Sequence, residues 1–152
     1  MSKILLTGMS GVGKSTVLKA LCSPNTICVD LDESMWMVTD QDTGKRCIAV
    51  PELLSWLKQQ DAQNVVLAGC ESNQGGLYPY LDSVIVMTAP LEVMRSRILE
   101  RANPYGKSEN EWRQIQEDVL NVEPLLKKRC SCVCNTDKPV AKVLDEIRLF
   151  LD

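Results

Sequence analysis

Residues 8–16 read GMSGVGKST and follow the short apolar run Lys3-Ile4-Leu5-Leu6-Thr7. The stretch fits G-x-x-x-x-G-K-[ST], with Gly8, Gly13, Lys14 and Ser15 in the fixed places. Gly8, Gly11 and Gly13 permit backbone conformations closed to other residues, so successive N–H groups can turn inward around an anion. Lys14 offers a mobile point charge to β- and γ-phosphates, and the Ser15 hydroxyl offers a ligand to Mg²⁺. A helix opening near Gly13 aims its positive end at the same place. The motif also needs a strand before it and a helix after it; Ile4-Leu5-Leu6-Thr7 and Ser15 to Leu21 supply both. Gly8, Gly11, Val12 and Gly13, with Lys14, Ser15 and Thr16, are therefore expected to hold the phosphates of a nucleotide.

The rest of the composition narrows the chemistry. A chain of 152 residues, 45% hydrophobic and 24% charged, suits one soluble domain with a sizeable core. A net charge of −3 gives no global basic field, so no nucleic-acid partner is expected. The first strand opens at residue 3, which leaves no room for a signal or transit peptide, and no apolar run reaches membrane-spanning length. Cytoplasm is the expected location, with no membrane partner. Seven cysteines, an odd number without an export signal, read as reduced thiols. Cys130, Cys132 and Cys134 alternate along one strand face and read as small buried hydrophobes. The chain has no histidine. Acid–base chemistry thus falls to carboxylates, and any metal should be a hard ion held by oxygens.

Strands are expected at 3–7, 26–30, 64–69, 83–88 and 130–135. Helices are expected at 14–22, from Pro51 (Leu53, Leu54 and Leu57 on one face), after Pro90 (Leu91, Met94 and Ile98 inward), near Glu109 (Trp112, Ile115 and Val119 inward) and after Pro139 (Val140, Val143 and Ile147 inward). Residues 39–45 are polar and turn-rich. Alternating strands and helices with continuous apolar strands predict a three-layer α/β fold around a mainly parallel sheet. Ligands of such sheets bind beyond the carboxyl ends of the strands.

Three groups of side chains stand at those ends. Asp30 and Asp32, two apart in an extended D-L-D, would project together towards the phosphates. One carboxylate, assigned here to Asp30, would hold Mg²⁺ through water. The other, assigned to Asp32, would bind an acceptor hydroxyl and take its proton. Which of the two is base and which metal ligand stays open, as does a plain solvated acidic turn. After the third strand, Gly69 would let a ligand approach the backbone, and Cys70, Glu71, Asn73 and Gln74 would face a polar substrate, a loop with no ligand role being the alternative. After the fourth, Arg97 and Arg101 lie four apart on one helix face, ahead of a breakable N-P-Y-G-K loop. There they could close over transferred phosphate. An exposed basic helix face is the alternative.

Together these residues resemble the small P-loop kinases, the group of shikimate, gluconate and adenylate kinases. The phosphate loop matches well. D-L-D looks like the acidic pair of the hydroxyl-phosphorylating members, and Arg97 to Arg101 followed by N-P-Y-G-K is similar to their hinge and lid. Asn135 to Pro139 matches the segment that packs against adenine. The resemblance implies a P-loop NTPase fold with five strands in the order 2-3-1-4-5 and one domain over 1–152. It also implies a substrate region at about 31–63 and a short lid at about 102–109. ATP and Mg²⁺ would be the cofactors, and Arg97, Thr136 and Pro139 would touch the nucleotide. Lys14, Asp32, Arg97 and Arg101 would be catalytic. The expected reaction is phosphoryl transfer from ATP to a small-molecule acceptor, with a hydroxyl favoured over a nucleoside monophosphate. A nucleotide-dependent ATPase switch acting on a macromolecular partner is the reading of another class. No exposed heptad or sticky strand suggests a dimer, so a monomer is expected.

Overall fold

The computed structural model describes residues 1–152. Five strands, β1 (Lys3–Thr7), β2 (Thr26–Asp30), β5 (Asn64–Ala68), β6 (Ser83–Thr88) and β7 (Cys132–Asn135), form one sheet in the order β2-β5-β1-β6-β7. Every pairing in it is parallel. A separate antiparallel hairpin, β3 (Met37–Thr39) and β4 (Arg46–Ile48), lies between β2 and the second helix. Counting only the strands of the large sheet, its order is the expected 2-3-1-4-5.

Parallel neighbours require crossover helices, and these cover the sheet on both faces. The strand side chains divide by alternation. Ile4, Leu6, Val66, Ala68, Ile85 and Met87 point to one side, where they meet α1 (Lys14–Leu21), α3 (Leu91–Glu100), α4 (Glu109–Asn121) and α6 (Val140–Arg148). Leu5, Val65, Leu67 and Val84 point to the other, against α2 (Val50–Lys58) and a 3₁₀ segment at Gln74–Tyr80. Trp36 and Trp56, ring centroids 4.9 Å apart, close that second core beneath the hairpin. No helix is long and apolar enough to cross a membrane.

The structure adds to or corrects the local expectations at four places. Residues 39–45 are the turn of the hairpin: Asp40 accepts from the amides of Asp42 (2.8 Å) and Thr43 (3.1 Å), and its amide donates to Lys45 O. Strands of three residues leave too little alternation to read. A short helix α5 (Glu123–Lys128) follows α4, its first turn marked by Pro124. Leu91 and Val140 are exposed, because each opens its helix before the buried face begins. Of the three alternating cysteines, only Cys134 is buried, and the last strand starts at Cys132.

Candidate nucleotide and acceptor site

The phosphate loop leaves β1 at Thr7 and enters α1 at Lys14. Gly8 passes so close to β6 that an added Cβ would sit 2.4 Å from the Met87 carbonyl oxygen. Gly13, the N-cap of α1, has φ 96° and caps no amide with a side chain. The amides of Gly11, Gly13, Lys14, Ser15 and Thr16 donate to no backbone carbonyl; the first bond of the helix is Val17 N to Gly13 O. Five unpaired donors around one bend form an anion cradle. Lys14 folds back so that its ammonium donates to the carbonyls of Gly8 and Met9. Burial holds this ammonium below the ordinary lysine range, while Cys70, Asp32 and Asp30 draw it back up and Arg101 opposes them.

A cleft of about 1020 Å³ opens beside the loop. Lys14, Asp32, Cys70 and Glu71 all line it, so the strand-end groups of β1, β2 and β5 do converge. Asp32 reaches the cleft by a different route from the expected one, and Asp30 stands behind it, outside the lining. The extended segment ends at Asp30, and a 3₁₀ turn (Leu31–Glu33) begins there. Asp30 caps that turn, its Oδ1 accepting from the Asp32 amide at 3.1 Å, which leaves Oδ2 for another ligand. Burial raises the Asp30 pKa above the ordinary aspartate value, partly offset by that amide. Burial likewise raises Glu71, helped by the neighbouring Asp32 charge and opposed by Arg46.

Two expected substrate contacts have other partners. Asn73 donates to Ile48 O (2.8 Å) and accepts from Ile48 N (3.0 Å), which fastens the loop after β5 to the hairpin. At Gly69 an added Cβ would lie 3.1 Å from the Leu31 Cβ, so this glycine makes room for a core side chain.

Arg97 and Arg101 turn towards the phosphate loop instead of solvent, and they divide the work. Arg97 donates to Val12 O (3.1 Å), to Thr136 Oγ1 (2.8 Å) and to Thr136 O (2.7 Å). Buried Thr136 in turn donates to Val12 O at 2.7 Å. This bonding ties the loop to the segment after β7, where Pro139 caps α6 at the surface. Arg101 reaches Ser10 Oγ (3.1 Å) and Tyr105 O (2.6 Å), while its Nε is buried without a partner. The Arg101 guanidinium thus lies against the phosphate loop, near enough for its charge to act on the Lys14 ammonium and on an anion held there. The 102–109 segment is a compact turn: Lys107 donates to Arg101 O (2.6 Å), and Ser108 caps α4 through Glu111 N (3.2 Å).

For a metal, no group of three or more cysteine or carboxylate side chains is arranged to hold an ion. The oxygens present, Ser15 Oγ on the exposed first turn of α1 and the carboxylates of Asp30 and Asp32, fit a hard ion that keeps water and substrate phosphate in its shell.

Gln74, Tyr78 and Arg129 also line the cleft. Gln74 is 2% exposed, donates to Thr7 Oγ1 (3.1 Å) and Tyr78 Oη (2.9 Å), and accepts from Glu71 N (3.0 Å). Arg129 carried no sequence signal, since it ends an ordinary basic run, Lys127-Lys128-Arg129.

The fold and the cradle define a P-loop nucleotide-binding protein with the architecture of the small P-loop kinases. Residues 4–118 match the AAA_18 family, an AAA domain, and the chain belongs to that family. Its fold is similar to that of a shikimate kinase from Acinetobacter baumannii solved with shikimate, at 19% identity and TM-score 0.65 over 99% of this chain and 93% of that one. A sugar kinase from Janibacter sp. HTCC2649 superposes at 17% identity and TM-score 0.64 over 100% and 95% of the two chains. Thymidylate kinase from Candida albicans does so at 15% identity and TM-score 0.61 over 96% and 88%. No curated protein matches the sequence.

Proposed function

We propose that this protein transfers the γ-phosphoryl group of ATP to a hydroxyl of a small-molecule acceptor, with Mg²⁺ as cofactor. The observation that carries the reading is one cleft lined by Lys14 of the phosphate loop and, from neighbouring strand ends, by Asp32 and Glu71. A phosphate acceptor would already be ionised and would need no such carboxylate.

The unpaired loop amides bind the phosphates, and Lys14 exchanges its two carbonyl contacts for phosphate oxygens. Arg101, anchored on Ser10, sets its positive charge against the negative charge that develops on the phosphoryl group. Arg97 keeps the loop and the base-packing segment in register. Asp32 accepts the acceptor's hydroxyl proton as its oxygen bonds to the γ-phosphorus and the bond to the ADP oxygen breaks. Bound through Ser15 and the D-L-D carboxylates, Mg²⁺ would neutralise phosphate charge.

Removal of a general base costs about 10²- to 10⁴-fold. Asp32→Asn should therefore lower kcat by about that factor and leave the KM for ATP within a few-fold. Turnover unchanged by Asp32→Asn, or brisk phosphorylation of a nucleoside monophosphate, would overturn the hydroxyl reading.

A further inference from the structure

At the acceptor end of the cleft one cation stands unspent. The Arg129 guanidinium carbon lies 4.8 Å from the centroid of the Tyr78 ring. It makes no ion pair: the salt bridges in the molecule join Met1 to Asp152, Lys127 to Glu123 and Lys138 to Glu146. Nor does it donate a side-chain hydrogen bond, whereas Arg46, the other arginine lining the cleft, is held by Asp32 O at 3.0 Å.

The platform under Arg129 is fixed from within. Tyr78 Oη accepts from buried Gln74, and Gln74 is in turn bonded to Thr7 at the end of β1 and to the Glu71 amide. The ring that carries Arg129 is thus tied to the strand that feeds the phosphate loop. Gly75 completes the seat, since an added Cβ would lie 3.0 Å from the Arg129 Nη1. A guanidinium held over a ring by its charge spends no hydrogen-bond donors on that contact, and its N–H groups still match a carboxylate or phosphate oxygen pair. Arg129 is exposed, so its edge is open to a ligand in the cleft.

We infer that the acceptor carries an anionic group, a carboxylate or a phosphate ester, and that Arg129 on its Tyr78 platform grips it and orients the hydroxyl. What is transferred rests on the kinase reading; what Arg129 binds does not.

The test uses matched trios: glycerol, glycerate and glycerol 3-phosphate, and glucose, gluconate and glucose 6-phosphate. Each compound is assayed for ADP formation from Mg²⁺·ATP and for its effect on the thermal midpoint of the full chain. Wild type is compared with Arg129→Met and, to keep the charge, Arg129→Lys. Anionic members should raise the midpoint of the wild type and not that of Arg129→Met. The KM of an anionic acceptor should rise about 10- to 100-fold in Arg129→Met, with the KM for ATP unmoved and Arg129→Lys in between. Carboxylates and phosphate esters separate by which member of a trio responds. A midpoint shift that depends on Arg129, without ADP formation from any compound, would sink the kinase and keep the anion site. ADP formation from a neutral member, indifferent to Arg129, would sink the anion site and keep the kinase. No midpoint shift with any anionic member overturns the inference whatever the ADP assay gives.

Discussion

Glu71 and Asp30 sit where ionisation is least welcome, half-buried near the Asp32 carboxylate at the mouth of the phosphate loop. Their folded pKa values lie above those of the unfolded chain, so the folded state holds protons that the unfolded state has already released. Stability from this source is complete below the ordinary carboxylate pKa and is lost as pH rises through the raised values. Glu71→Gln should therefore raise the thermal midpoint at pH 7, and the gain should fade as pH falls towards 4.5, the ordinary glutamate value. A gain that persists at low pH would assign the effect to packing. Thr136 is a residue of the opposite kind: it is 3% exposed, and its hydroxyl accepts from Arg97 and donates its one proton to Val12 O, with Thr88 O as the alternative acceptor. Thr136→Val should cost about 1–3 kcal/mol in chemical denaturation, the usual penalty for orphaning buried partners. The same variant should weaken ATP binding, because Arg97 loses one of its anchors.

The hairpin and the loop after β5 form a unit held by one side chain. Asn73 carries a reciprocal pair of hydrogen bonds to Ile48, and the strands it fastens are three residues long. Asn73→Ala should destabilise the chain by about 1–3 kcal/mol and raise amide exchange selectively at 37–48. Uniform exchange across the chain would contradict that local role. This unit was also the least legible part of the sequence, because its polar, turn-rich residues carry no period and its order comes from a contact 25 residues away. The sheet strands were legible for the converse reason. The three central ones, β1, β5 and β6, are continuous apolar runs buried on both faces, and the alternation that divides Leu5 from Ile4 and Leu6 follows from geometry alone. Helix faces were readable except at their first residues, Leu91 and Val140.

Across the whole molecule, the phosphate loop was legible because its chemistry is local: nine consecutive residues contain the cradle, the lysine and the helix start. The acceptor end was not, because the topology assembles it from distant segments. Gln74 bonds to Thr7 across 67 positions, and Arg129 reaches Tyr78 across the whole of β6, α3, α4 and α5. Asp32 lines the cleft by way of a 3₁₀ turn that the D-L-D spacing did not signal. The measurement that bears most directly on the central claim is ADP production from Mg²⁺·ATP across a panel of hydroxyl compounds, with Lys14→Ala beside the wild type. The account predicts stimulation by a subset of acceptors and its loss by at least 100-fold in Lys14→Ala. A slow rate that no acceptor raises, equal in both proteins, would contradict it.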